Sequence, residues 1–537
     1  MNEVLGREVY VSNRGLLNFT ITNGGIRSSQ AIGGLSTAIG ALVEAQGGDL
    51  TDILWVSGNA ITKRKWYDIP KRKRDTAIVQ STNELGFGIG LVNLSEDEMR
   101  SFYETFSNGV LWPVAHGFGK GFGAEYAAAD DEYEAAWKVY KNVNKKYATG
   151  IKAKTEENDR IFVQDYQLIG VGAELRKMGR LDQQIDFFLH IPFPTVVELV
   201  QNMDRRHIEY ILKSMLQYDL VGFQRQSDKD NFFAALGEFL PGKVLYEQTV
   251  DDVDIITFEN RRLKLGAFLI GLNPEPYMEA GNSDEVIEGA AAMKEYFAQV
   301  ALDGRDDNLD KSPEKIVNSN ELKNQYRTYD EILEIIGTLG RLDPSKGDEW
   351  ILEAFEEFLR QVSGNKMPVL VHNAAPSREN VPAYAALKKR VAELDRRINQ
   401  EAKPALGYEP IRQRLANTER KLANMYMKLA DIFTIPSIRD GCNLVAEEYP
   451  LVNDRGVLIV SKGAGVVEIL GENGAIEVDP QNPQTLVNAL LEAYNMPIGE
   501  RKERAKKMRE TIMNNTVFDW AKAINKARAI DVNGAAA

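Results

Sequence analysis

Short apolar runs of β-forming residues alternate along this chain with longer segments of helical period, the pattern of parallel sheets with crossover helices. No other feature constrains the fold as much. In the first half, strands are expected at Glu8–Val11, Ile53–Val56, Arg160–Val163, Ile185–Leu189 and Leu220–Phe223, with helical stretches such as Leu168–Met178 after them. In the second half, strands are expected at Ile335–Gly340, Pro368–Val371, Ile432–Ile435 and Val457–Val460. Helices at Glu349–Val362, Ala383–Asn399, Arg420–Leu429 and Pro483–Tyr494 lie between or after them. Both halves read as doubly wound α/β domains.

At 537 residues the chain is too long for one core and suggests two domains of about 250 residues each. The boundary falls at Ile270-Gly271-Leu272-Asn273-Pro274, where a strand gives way to turn formers. This gives a first domain over 1–270, a second over 271–515, and a terminal segment, 516–537, whose helix Phe518–Ile530 is free to reach back to the first domain. Glu275–Arg327 is polar and helix-prone without a clear strand, an elaboration of the second domain. Two such domains facing each other create a cleft at the carboxyl ends of their strands, where open α/β sheets bind ligands.

Lys plus Arg is 65 and Asp plus Glu is 78, a net charge of −13, so the chain is a poor general binder of nucleic acid or anionic membrane. No apolar run approaches the roughly 18 residues of a membrane span. The start, MNEVLGREVYVSNRG, lacks the layout of a secretory signal. With a single cysteine, Cys442, there is no internal disulfide or cysteine metal cluster. A cytoplasmic protein is expected. The basic cluster Lys63–Arg74 breaks the acidic trend, as a phosphate-attracting rim, an oligomer contact or a solvated loop.

Three segments suit a phosphorylated ligand. Gly33-Gly34-Leu35 precedes the amphipathic stretch Ser36–Glu44, where glycines let backbone approach a diphosphate at a helix N-terminus; a plain tight turn fits equally. Arg341-Leu342-Asp343-Pro344-Ser345-Lys346-Gly347 follows a strand, and its two cations suit a diphosphate leaving group unless they form only a surface charge pair. In Arg439-Asp440-Gly441-Cys442-Asn443-Leu444-Val445-Ala446-Glu447-Glu448-Tyr449, Asp440 ends a strand where it can bind sugar hydroxyls or cap a helix. Glu448 falls about two turns later, where a carboxylate fits a ribose diol.

In the first domain, Asp165 and His190 end neighbouring strands, His190 just before Ile191-Pro192; a hydrogen-bonded core histidine is the plainer alternative. Arg14 after the first strand and Arg378 after Pro368–Val371 offer guanidinium forks for phosphate. Tyr103 and Trp112 present amphipathic rings to a sugar, or pack in the core.

In this order the segments SNR (12–14), GGL (33–35), FSNGVLWP (106–113), VQDYQL (163–168), FFLHIPFP (187–194), LVGFQ (220–224), RLDPSKG (341–347) and RDGCNLVAEEY (439–449) resemble the trehalose-6-phosphate synthase family of retaining glycosyltransferases. The resemblance spans residues 12 to about 450. It implies the GT-B arrangement, two facing Rossmann-like domains. It further implies a hexosyltransferase that joins glucose from a nucleotide-diphosphate donor, UDP-glucose first, to glucose 6-phosphate. By motif position Gly34, Arg341, Lys346, Asp440, Gly441, Asn443, Leu444 and Glu448 would bind the nucleotide sugar. Arg14, Tyr103, Trp112, Asp165 and Arg378 would bind the phosphorylated acceptor. His190, Asp165, Arg341 and Lys346 would serve catalysis. No metal or other cofactor is implied, in keeping with the lack of an acidic metal motif, and a homo-oligomer is left open.

Two departures from the family pattern bear on specificity. Where the family carries Gly-Trp-Thr-Pro, this chain has Gly407-Tyr408-Glu409-Pro410, in the region that lines the base pocket of the family, so GDP and ADP donors stay open beside UDP. The stretch from Arg14 to Gly33 and the segment Glu275–Arg327 also differ, which leaves glucosylglycerol-phosphate synthesis and cyclitol joining as alternatives. A non-catalytic sugar-phosphate sensor is the reading from another class, and intact Arg341, Lys346, Asp440 and Glu448 argue against it.

Overall fold

The computed structural model describes residues 6–15, 17–22, 25–30, 53–61, 81–82, 88–119, 130–303, 332–379 and 381–532. The Gly33–Leu35 motif, the helix expected at Ser36–Glu44 and the basic cluster Lys63–Arg74 lie outside them. The chain divides into two compact units, Met1–Ile270 with Val517–Ala537, and Gly271–Thr516.

The first unit is built on a ten-stranded sheet among the described residues. Its seven parallel strands lie in the order Gly88–Ser95, Ile53–Ile61, Glu8–Ser12, Arg160–Gln164, Ile185–Leu189, Leu220–Phe223, Arg261–Ala267. Strands at the centre are buried on both faces, so Leu220–Phe223 reads as an unbroken apolar run and Ile185–Leu189 as one broken only by Asp186, rather than as alternating ones. The antiparallel strands Val244–Val250 and Val253–Phe258 extend one edge. Chain order along the sheet runs outward one way from Glu8–Ser12 and then, from Arg160–Gln164, outward the other way. The switch point therefore lies between those two strands, and their carboxyl ends frame the crevice where such sheets take ligands.

The helix Val517–Ala529 belongs to this unit. Trp520 stacks on Phe162 with ring centroids 5.9 Å apart and meets Phe188 edge-on at 5.1 Å. Arg528 Nε donates to the fully buried Asp186 at 2.6 Å. Burial alone would push the Asp186 carboxyl well up, and the adjacent Arg528 guanidinium opposes that shift.

The second unit has, among the described residues, a six-stranded, wholly parallel sheet in the order Ile411–Arg414, Met367–Pro376, Leu333–Leu342, Ile432–Ile435, Val457–Ser461, Ile476–Val478. Numbered along the chain this is 3-2-1-4-5-6, the doubly wound dinucleotide-fold order, with its switch point between Leu333–Leu342 and Ile432–Ile435. Those two strands pair only at Ile336–Ile432 and Gly337–Phe433, whereas Leu333–Leu342 continues against its other neighbour to Leu342–Pro376. The pair therefore opens at its carboxyl end. Helices Asp348–Gln361, Pro382–Leu406, Arg420–Leu429 and Gln484–Asn495 stand within a residue or two of expectation, except that Pro382–Leu406 runs longer. The segment after Pro274 forms helices Glu275–Asn282 and Asp284–Asp303.

Candidate active site

Each switch point gathers charged and polar side chains from the motifs. In the second unit, Leu333–Leu342 delivers Arg341 at its end and then a single 3-10 turn, Pro344–Lys346, before helix Asp348–Gln361. Two features fix this turn. Asp343, fully buried, accepts from the Ser345 backbone at 3.1 Å and its hydroxyl at 3.0 Å. Gly347 has φ +75°, and a Cβ there would lie 2.0 Å from the Pro436 carbonyl oxygen, so only glycine fits. Across the switch point the Ile438 N–H donates to the Ser345 carbonyl at 2.7 Å, joining the turn to the loop after Ile432–Ile435.

That loop carries Asp440. Its Oδ2 pairs with Lys346 Nζ and accepts from Asn443 Nδ2 at 3.0 Å, while Oδ1 accepts from the Gly441 N–H at 3.0 Å. Asn443 has a left-handed backbone, φ 83°, as the residue before helix Leu444–Val452. Arg341 is exposed, and no hydrogen bond or ion pair holds its side chain among the described residues. The switch point thus presents, among the described residues, a guanidinium with no partner and an ammonium held by a carboxylate, beside a helix start.

Glu448 Oε1 accepts from the Tyr277 hydroxyl at 2.8 Å, and Arg420 lies 3.8 Å from the same oxygen with its guanidinium 4.6 Å from the Tyr277 ring centroid. Burial raises the Glu448 pKa, against the pull of Arg420 and Tyr277. The segment from Glu275 therefore supplies a partner for Glu448, which nothing in its sequence indicated.

The neighbouring Glu447 is fully buried. Its Oε1 accepts from Cys442 Sγ at 3.5 Å, and the Leu272 backbone N–H also donates to the carboxylate. Desolvation pushes its pKa from 4.5 to about 8. An acid shifted in this direction carries no penalty below its unfolded pKa, and the cost of ionising it grows as the pH climbs toward 8. Glu447→Gln should therefore leave the melting temperature little changed at pH 4.5 and raise it at pH 8, the gain growing by up to roughly 1.4 kcal/mol per pH unit between. Thermal melts of both proteins across that range check this; a gain that shrinks with rising pH would contradict it.

In the first unit, Arg14 follows the central strand, its turn fixed by Ser12 Oγ donating to the Arg14 carbonyl at 2.6 Å. The exposed Arg14 guanidinium donates to the Tyr103 hydroxyl at 3.0 Å and lies 5.4 Å from that ring's centroid. Tyr103 stands on Arg100–Leu111, wound as a π-helix, a rare form that recurs at functional sites. Trp112, the next residue, is 2% exposed and stacks on His116 with centroids 3.9 Å apart, so it serves the core and shows little ring to a ligand.

Across the switch point, Asp165 has φ 74° and ψ 165°, a conformation almost reserved for glycine. It is held there by its N–H to the Phe188 carbonyl at 2.8 Å and by the His190 N–H, which donates to its Oδ1 at 3.2 Å. His190 keeps a part-exposed edge, but both ring nitrogens are engaged. Gln224 Oε1 accepts from the Ile270 N–H at 2.9 Å, which turns its amide nitrogen toward His190 Nδ1 at 3.2 Å. Gln164 Nε2 points to the Phe162 carbonyl, so its Oε1 accepts from His190 Nε2 at 2.8 Å. His190 is thus a neutral imidazole with its proton on Nε2, and burial lowers its pKa to about 3. It is not a free base. Gln164 and Gln224 stood inside VQDYQL and LVGFQ, at the ends of the two strands that flank Ile185–Leu189, and that placement on either side of His190 was the overlooked signal.

Arg378 belongs to the second unit. It sits on left-handed backbone, φ 50°, donates to Asp343 Oδ2 at 3.1 Å, and also bonds the Tyr384 hydroxyl. The structure thus brings together Arg14 with Tyr103, Asp165 with His190, Lys346 with Asp440 and Asn443, and Arg378 with Asp343. Gly34 falls outside the described residues. No group of acidic, histidine or cysteine side chains that could hold a metal occurs among the described residues, and no helix there is long and apolar enough to cross a membrane.

The profile of glycosyltransferase family 20 matches residues 7–314 and 311–528. The trehalose-6-phosphate synthase of Sinorhizobium fredii is 30% identical over 529 residues, covering 96% of this chain and 97% of that one. A bifunctional trehalose-6-phosphate synthase/phosphatase of Thermoproteus tenax is 30% identical over 525 residues, 96% of this chain but only 62% of that longer protein. Among solved structures, a UDP-forming α,α-trehalose-phosphate synthase from Burkholderia xenovorans matches with a TM-score of 0.74 and 26% identity, covering 98% of this chain and 99% of that one.

Proposed function

As the chain belongs to glycosyltransferase family 20 and has the paired α/β units of the GT-B class, we propose that it transfers glucose from UDP-glucose to glucose 6-phosphate, giving α,α-trehalose 6-phosphate. The observation that carries this reading is the Lys346–Asp440 pair at the switch point of the second sheet, beside the unengaged Arg341 and a helix start. A diphosphate is the ligand that such a site suits, and it would draw Lys346 from Asp440.

In this reading the second unit binds the donor and the first holds most of the acceptor. Glu448, with one oxygen occupied by Tyr277, takes the ribose diol. Asp440, released from Lys346, accepts from hydroxyls of the transferred glucose. Arg14 with Tyr103 meets the acceptor phosphate, while Asp165 orients an acceptor hydroxyl. The acceptor anomeric oxygen attacks the donor anomeric carbon from the face that the diphosphate leaves. The new carbon–oxygen bond forms as the bond to phosphate breaks, UDP departs with the electron pair, and a donor phosphate oxygen takes the acceptor proton. Arg341 and Lys346 stabilise the charge that grows on the diphosphate. His190, neutral and amide-held, is a positioned hydrogen-bonding ring rather than the base of this step.

A donor-by-acceptor activity matrix tests the reading: UDP-, GDP- and ADP-glucose against glucose 6-phosphate, glycerol phosphate and free glucose. UDP-glucose with glucose 6-phosphate should give the highest kcat/KM. Turnover only with glycerol phosphate would replace the assignment. Because cationic side chains and helix N–H groups can neutralise the donor phosphates, we further expect activity to survive excess chelator. Complete loss restored by a divalent ion would contradict that.

A further inference from the structure

Behind the cationic turn lies a buried polar relay that none of the roles above uses. Asp348, the first residue of helix Asp348–Gln361 and two residues beyond Lys346, is 9% exposed. Its Oδ1 lies 2.8 Å from Nε2 of His372, which is fully buried on strand Met367–Pro376. Gln413, opposite His372 on the edge strand Ile411–Arg414, places its amide nitrogen 3.2 Å from His372 Nδ1. A donor on Nδ1 puts the imidazole proton on Nε2, aimed at Asp348. Asp348 Oδ2 is buried with no partner.

Such a relay is a poor device for stability. Burying a carboxylate and an imidazole costs desolvation that apolar residues of the same volume would avoid. What it does is constrain geometry. The turn bearing Lys346 is gripped on its near side by Asp343 and across the switch point by the Ile438 N–H, and on its far side it passes through Gly347 into the helix. The His372 bond anchors the first residue after that glycine to the sheet.

We propose that His372, oriented by Gln413, is a positioning residue that holds Asp348 and thereby the Lys346 turn in the geometry that meets the donor diphosphate. This rests on the diphosphate role assigned above to Lys346. His372 touches no reacting atom; it acts through the backbone between Lys346 and Asp348.

His372→Leu, His372→Gln and Gln413→Met would be assayed for kcat and KM, for UDP affinity by calorimetry, and for melting temperature. His372→Leu should lower kcat by at least tenfold and weaken UDP binding several-fold, with the acceptor KM unchanged. His372→Gln, which can still donate to Asp348, should recover kcat to within about threefold of the parent. Gln413 is only half-buried, so Gln413→Met should fold whatever becomes of the leucine variant, and it should lower kcat three- to fivefold at an unchanged melting temperature. A folded His372→Leu or Gln413→Met protein with parental kcat and UDP affinity overturns the proposal, as does a kcat loss that His372→Gln fails to reverse. Failure of the parental protein to bind UDP at all would instead strike the diphosphate reading on which it rests.

Discussion

Lys346→Ala should lower kcat by roughly 10²–10³-fold while leaving the fold intact. The Lys346 ammonium is part-buried and pairs, among the described residues, with Asp440 across the switch point, so its loss removes no packing from the core. Charge on the diphosphate grows as the sugar bond breaks, and a cation fixed beside it contributes most in the transition state. The effect should therefore appear in kcat at saturating donor rather than mainly in KM. Arg341→Ala should act in the same direction, and more cleanly, since the exposed Arg341 side chain has no partner to strand among the described residues. Steady-state kinetics with circular dichroism as a check on folding would decide this. Near-parental turnover in both variants would remove the diphosphate role from this site.

The second large effect concerns the acceptor. Arg14→Ala should raise the KM for glucose 6-phosphate by roughly 10- to 150-fold, the equivalent of a charge-assisted bond of about 1.5–3 kcal/mol. Arg14 is exposed and, among the described residues, donates only to the part-exposed Tyr103, so the substitution leaves no buried group there unpaired. Arg378 would be a poorer probe of the same point. Its guanidinium is bonded to Asp343 and Tyr384, and Asp343 is fully buried, so Arg378→Ala would strip a partner from a buried carboxylate and disturb the Lys346 turn as well. If Arg14 meets the phosphate, its removal should also erase the advantage of glucose 6-phosphate over free glucose. A parental enzyme that used the two equally would show that no phosphate is read.

The alternation of strands and helices was legible because central parallel strands are buried on both faces and announce themselves as apolar runs. Leu220–Phe223 and Ile432–Ile435 stand where their composition puts them, as does Ile185–Leu189 despite the Asp186 within it. Edge elements were not legible for the converse reason. Val244–Val250 is mostly half-exposed or exposed, and Ile411–Arg414 is only four residues with two charges. The motif side chains at Arg14, Asp165, His190, Arg341, Lys346 and Asp440 could be placed at strand ends from their position after apolar runs. What holds them could not. Asp343, Tyr384, Tyr277 and Arg420 come from other elements or serve from inside a motif, and only the packed structure brings them to Arg378 and Glu448. Trp112 shows the limit from the other side: a ring that suited a sugar equally suited the core, and the π-helix before it turns it inward.

The central claim is tested most directly by the product itself. The purified protein would be incubated with UDP-glucose and glucose 6-phosphate, and the sugar phosphate formed would be identified by mass and by the proton couplings of its two anomeric centres. The account predicts a disaccharide monophosphate with both centres in the α configuration, formed one for one with UDP. A β linkage, or UDP released with free glucose and no disaccharide, would contradict it.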